Sequence, residues 1–248
     1  MSEEISAEIA VKCSGITKVF GSVVANDSID LEVKYGEILA LLGENGSGKT
    51  TLMNMLSGIY HPDKGSIYIA GKPEAINSPK DSIALGIGMI HQHFKLVEVF
   101  SAADNIVAGT KGKLRNKSAV REEIKKISEQ LGLEVDPDKK VYNMSVSEKQ
   151  TVEILKVLYR GAKILILDEA TSSIDTRTEV HIQEAMLALM KGRTSLIIAH
   201  RLSTIRDADK IVVIDGGKVV EAGNHEKLLS ENGAYARLYN TQFAGIKT

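Results

Sequence analysis

Short apolar runs recur along the chain, and each stops at glycine or at charge. Residues 37–43, EILALLG, form such a run ending in Gly43 and predict a buried strand. KTTLMNMLSG follows with helical character, and Gly58 terminates it. GSIYIAGK alternates like a half-buried strand before a turn, and GIGMI predicts another short strand. From about 101 to 160 the pattern is mostly helical. Within REEIKKISEQLG, Ile124, Ile127 and Leu131 share one face and charges fill the others. ILIL, Ile164 to Leu167, and SLIIAH, Ser195 to His200, then predict strands buried on both sides. TRTEVHIQEAMLALMKG between them reads as a helix, with capping-box spacing at Thr176 and Glu179 and a stop at Gly192. IVVIDGGKVVEAG predicts a hairpin around Asp215-Gly216-Gly217, and AYARLYNTQF an amphipathic helix. Alternating strands and helices imply an α/β protein with a largely parallel sheet, and the helical middle reads as an inserted subdomain.

Composition narrows the function classes. The chain has 248 residues, 43% of them hydrophobic, enough for a substantial core. A formal net charge of −1 argues against a nucleic-acid or membrane-surface binder. The basic stretch KGKLRNKSAVREEIKK fits a solvated helix face better than a nucleic-acid site. The single cysteine, Cys13, excludes an internal disulfide and permits a reducing compartment. No apolar run is long enough to cross a bilayer, and the acidic start MSEEISAEIA lacks the features of a signal peptide. The expectation is a cytoplasmic chain, held at a membrane only through a partner.

The chemistry concentrates in two places. GENGSGKT, Gly43 to Thr50, fits the phosphate-loop pattern G-x-x-x-x-G-K-[ST] without a mismatch. Gly43, Gly46 and Gly48 let the backbone curl so that several N–H groups face an anion, and the next helix aims its positive end there. Lys49 supplies a point charge for the β and γ phosphates, and Thr50 offers a hydroxyl to Mg²⁺. The second place is the end of the ILIL strand. Asp168 suits the water shell of Mg²⁺, and Glu169 could polarise a water for attack on the γ-phosphate. Alone, the Asp-Glu pair would be two solvated acids; beside a phosphate loop it points to function. Gln92, after the GMI strand, and His200, at the end of SLIIAH, gain no role from their positions alone. His61, His91, His93, His181 and His225 form no convincing metal-ligand set.

Together these motifs resemble the ATPase domain of ABC transporters over nearly the whole chain. The order is that of the family: Walker A at Gly43–Thr51, Q-loop Gln92, signature segment near Ser145, Walker B at Ile164–Asp168, then Glu169, the D-loop SSID ending at Asp175, and His200. The resemblance implies a phosphate-loop, RecA-like ATPase core with an antiparallel β subdomain, residues 1–92 and 162–248, and a helical subdomain, about 93–161. It implies that Glu169 is the catalytic base, that Gln92 and His200 sense the γ-phosphate, and that Phe20 stacks on adenine. Asn45, Ser47 and Thr51 join the phosphate loop, and Thr50, Gln92 and Asp168 (through water) serve Mg²⁺. Ser145 would meet ATP held by a second ATPase domain in a head-to-tail dimer, with Asp175 at that interface. A transmembrane permease subunit would be the other partner.

The chain departs from the family at the signature LSGGQ, which here reads MSVSE. Val146 and Ser147 replace two glycines, and Glu148 replaces glutamine and brings a negative charge towards a phosphate. ATP binding is therefore better supported than fast hydrolysis by a tightly closed dimer, and a nucleotide-binding scaffold with little turnover is the alternative. A phosphate-loop kinase or GTPase fits less well, because Glu169, the D-loop and His200 are present and no guanine-reading Asn-Lys-x-Asp stretch is. A second departure runs across the chain. Residues up to about 169 resemble simple-sugar and nucleoside importer cassettes. From Ala170 the sequence ATSSIDTRTEVHIQ and IIAHRLSTI resembles multidrug or lipid exporter cassettes. The change of character leads us to expect an engineered chimera joined near Ile164–Glu169, with a natural subfamily or a recombined gene as the blander alternative.

Overall fold

A computed structural model describes residues 8–91, 94–110, 116–168, 185–199 and 202–243. Two long strands open the fold, β1 (Ile9–Phe20) and β2 (Val23–Lys34), paired antiparallel. They join β4 (Lys64–Ile69) and β5 (Lys72–Glu74) in a four-stranded sheet of order β2-β1-β4-β5. The second sheet has six strands in the order β10-β9-β3-β8-β7-β6. Its members are β3 (Ile38–Leu42), β6 (Ile87–Ile90), β7 (Ile164–Asp168), β8 (Thr194–Ile198), β9 (Lys210–Asp215) and β10 (Lys218–Gly223). All its neighbours pair in parallel except β9 and β10, which form the hairpin expected around Gly216 and Gly217.

Parallel strands need apolar cover on both faces, and the sequence supplies it. On β7, Ile164 and Ile166 enter the core between the two sheets, which also takes Leu52, Met53, Met55 and Leu56 of α1 (Lys49–Leu56). Leu165 and Leu167 point the other way, onto Ile154, Leu189 and Met190. Among these, Ile154 belongs to α5 (Val146–Tyr159), and helical residues 185–190 form α6. A third cluster lies under α7 (Leu202–Arg206), α8 (His225–Ser230) and α9 (Ala234–Phe243), centred on Tyr235.

The short α2 (Pro79–Ala84) starts on a Ser78 cap with proline at its first position, where a missing N–H costs nothing. Beyond β6, α3 (Ala102–Val107), α4 (Lys117–Gln130) and α5 build a separate apolar cluster from Ala102, Ile106, Val120, Ile124, Val152 and Leu155. Ser101 and Asp104 close a capping box on α3, and Asn116 caps α4. The thiol of Cys13 is buried, and desolvation pushes it up to about 12.

Candidate functional site

The phosphate-loop segment leaves the C-terminal end of β3 and enters α1 directly. Three of its glycines have positive φ: Gly43 at 150°, Gly46 at 83° and Gly48 at 104°. Two of them are also closely packed. A Cβ on Gly43 would collide with the Ile214 carbonyl, and one on Gly48 with the Ala25 carbonyl. The loop is therefore clasped from behind by β2 and by the β9–β10 turn. Asn26 Nδ2 donates to the Gly48 carbonyl at 3.2 Å, and the Gly217 amide donates to the Ser47 carbonyl at 3.2 Å. Asn26, Ile214 and Gly217 are supporting residues that the sequence motifs did not single out. The Asp-Gly-Gly turn signalled only a hairpin, and nothing local marked Asn26.

Lys49 is the first residue of α1 and only 6% exposed. Its Nζ donates to the carbonyls of Gly43 and Glu44, each at 2.8 Å, and lies 3.3 Å from Ser47 Oγ. These bonds hold the ammonium across the curl of the loop. Burial lowers its pKa, and the charge of Asp168 opposes that shift. Thr50 is exposed and Thr51 half-buried on the first turn of α1, while Glu44, Asn45 and Gly46 are exposed at the rim.

Register brings Asp168 to the same edge. Asp168 pairs with Ile198 on β8, and Ile198 pairs with Leu41 on β3, two residues before Gly43. The loop and the aspartate therefore both lie at the C-terminal ends of parallel strands, where open α/β sheets place their ligands. A concave, glycine-lined loop with a buried ammonium and a nearby carboxylate suits a triphosphate with Mg²⁺. Gln92, Glu169, Asp175 and His200 lie outside the described residues.

Phe20 sits at the tip of the β1–β2 hairpin and is 42% exposed. Tyr60 meets it edge-on at 5.1 Å, and Lys18 Nζ lies 5.4 Å from its centroid. Asp63 fixes this tip, accepting from the Val19 amide at 2.7 Å and from Lys18 at 3.0 Å.

Ser145 is the N-cap of α5. Its Oγ accepts from the Glu148 amide at 3.2 Å, and Glu148 Oε2 accepts from the Ser145 amide at 2.8 Å. Glu148 thereby closes a reciprocal capping box at the start of its own helix. The carboxylate turns back onto its own helix and pairs with Lys139 at 2.6 Å. The Lys139 bond leads in lowering its pKa.

No group of three or more potential metal-ligating His, Cys, Asp or Glu side chains occurs among the described residues. Nor is any helix there long and apolar enough to cross a membrane.

Residues 26–172 match the family described as ABC transporter. The chain is 46% identical over 219 residues to the nucleoside import ATP-binding protein NupA of Lactococcus lactis, covering 86% of this chain and 43% of that protein. It is 41% identical over 223 residues to an ATP-dependent lipid A-core flippase of Alkalilimnicola ehrlichii, covering 88% and 38%. The chain thus spans less than half the length of these curated relatives. Among solved structures, a bacterial Atm1-family ABC exporter with ATP bound aligns with a TM-score of 0.77 at 31% identity, over 95% of this chain and 42% of that one. A nucleotide-free ATP-binding cassette from an ABC transporter aligns with a TM-score of 0.78 at 26% identity, over 90% and 94%.

Proposed function

The chain belongs to the ABC transporter family of ATP-binding domains, and on that premise we propose that it binds and hydrolyses Mg·ATP to drive a transporter. The observation that carries this is the clasped phosphate loop, with buried Lys49 at the same sheet edge as Asp168. Gly43 to Thr51 cradle the triphosphate, and Phe20 offers its exposed ring to adenine. Thr50, Gln92 and Asp168, the last through water, would hold Mg²⁺, which would neutralise the charge that develops on the transferred phosphoryl group. Glu169 takes a proton from water as the water oxygen attacks the γ-phosphorus and the bond to the β-γ bridging oxygen breaks. Gln92 and His200 sense the γ-phosphate. In this reading residues 93–161 form the helical subdomain, and the rest forms the core with its antiparallel β subdomain.

Ser145 and Asp175 serve a head-to-tail dimer, in which the α5 N-terminus of one copy closes on ATP held by the other. A permease subunit places the pair at the inner face of a membrane. Specific activity in Mg·ATP tests the reading: it should rise with protein concentration, as a dimeric engine requires. ATP binding without turnover at any concentration would favour the scaffold alternative. The Phe20 assignment has its own check. Phe20→Ala should weaken ATP about 5- to 150-fold, from ~1–3 kcal/mol of base stacking, and leave inorganic triphosphate unaffected. Equal losses for both ligands would remove the adenine role.

We further propose that the chain is an engineered chimera joined near Ile164–Glu169. Support comes from the two sequence halves and from likeness, over most of the chain, both to an importer protein and to a flippase. In the structure β7 pairs in unbroken register with β6, from the importer-like side, and with β8, from the exporter-like side. The cluster of Ile154 and Leu167 with Leu189 and Met190 also mixes the two halves. Core positions not selected together cost ~1–3 kcal/mol each. The chain should therefore melt below unmixed cassettes of either type. A melting temperature above both would count against a mismatched core, and a natural gene encoding both halves would overturn the engineered origin.

A further inference from the structure

The acidic position of the MSVSE segment is answered from within the chain. Lys139 reaches Glu148 from a backbone that is itself tied down: its amide donates to the Asp136 carbonyl at 3.2 Å, and its carbonyl accepts from the Ala102 amide at 3.0 Å. The neighbouring Lys140 bridges to Ser101, the cap of α3. Lys139 is thus fixed against the start of α3 while its ammonium clamps a carboxylate at the start of α5. Both partners lie on the importer-like side, so the junction does not separate them.

We propose that Lys139 is a positioning residue for ATP-dependent dimerisation. It holds the Glu148 carboxylate in the capping box and cancels its charge, so that Ser145 can approach a polyanion on a second copy of this chain. The proposal rests on the head-to-tail dimer reading above. An unanswered carboxylate at a helix N-terminus opposes the positive end that attracts phosphate, and it repels an incoming triphosphate directly. Two such contacts form per symmetric dimer, so a modest local repulsion counts twice.

The test uses the full chain carrying Glu169→Gln to suppress turnover, with its monomer–dimer equilibrium in saturating Mg·ATP followed by sedimentation. Lys139→Ala should weaken dimerisation about tenfold or more, and less at high salt. ATP affinity measured on dilute monomer should not change. The decisive variant adds Glu148→Gln, whose neutral amide still caps the helix and needs no counter-charge. In that background Lys139→Ala should cost nothing. A merely structural role for Lys139 would instead lower the melting temperature and dimerisation whatever stands at position 148. Dimerisation unaffected by Lys139→Ala, or a loss that persists undiminished beside Glu148→Gln, overturns the Lys139 assignment alone. A parent chain that stays monomeric at saturating ATP overturns the head-to-tail dimer reading and this inference with it.

Discussion

Glu169→Gln is expected to lower steady-state Mg·ATP hydrolysis by about 10²–10⁴-fold, the range associated with loss of a general base. ATP affinity should hold or tighten. Strand β7 delivers Asp168 to the edge from which the phosphate loop departs, and Glu169 is the next residue in the chain. Glutamine keeps the shape and hydrogen-bonding reach of the side chain but cannot take a proton at neutral pH. A base acting in the transition state should therefore be lost without loss of the nucleotide. Parallel rate and equilibrium-binding measurements at several protein concentrations separate the outcomes. A mutant rate within tenfold of the parent would remove Glu169 from the base role. Binding without turnover in both proteins would leave a folded nucleotide holder.

The legible parts of this fold were those whose signal is local. Phosphate-loop glycines, the apolar run of β7 and the Asp-Gly-Gly turn each state their conformation within a few residues. The β1–β2 ribbon does not, because bulges interrupt its pairing between Ile9 and Val11, between Cys13 and Ile16, and beyond. Each shift breaks the two-residue alternation that a strand pattern needs. The rear wall of the loop was hidden for a different reason. Asn26 and Ile214 reach it from distant strands and Gly217 from the β9–β10 turn, and no spacing rule relates them to Gly43 or Gly48.

The role of Glu148 is an intermediate case. Ser145-x-x-Glu148 has the spacing of a capping box, so its inward turn is written locally, whereas its departure from LSGGQ registers only as added charge. Its partner Lys139, nine residues earlier, required the structure.

Lys49→Ala should weaken ATP binding by roughly 30- to 5,000-fold, the range expected for removing one member of a desolvated charge contact. The side chain is nearly buried at the base of the loop, so water cannot replace its charge at low cost. The substitution also deletes the donor that ties the Gly43 and Glu44 carbonyls together. Lys49→Arg should recover only part of the affinity, since a planar fork does not replace a compact ammonium. Stability should move the other way. Burial lowers the pKa of Lys49, so the fold disfavours its charged form relative to the unfolded chain. That penalty falls on stability at neutral pH and shrinks as pH rises through the folded-state pKa. Alanine removes it and is a good residue for the first turn of α1. The melting temperature should therefore stay level or rise while nucleotide affinity collapses. A fall in both would make Lys49 chiefly a brace of the loop; unchanged affinity would remove it from the triphosphate site. Opposite movements would show that the fold bears a buried ammonium at its own expense because the triphosphate requires one there.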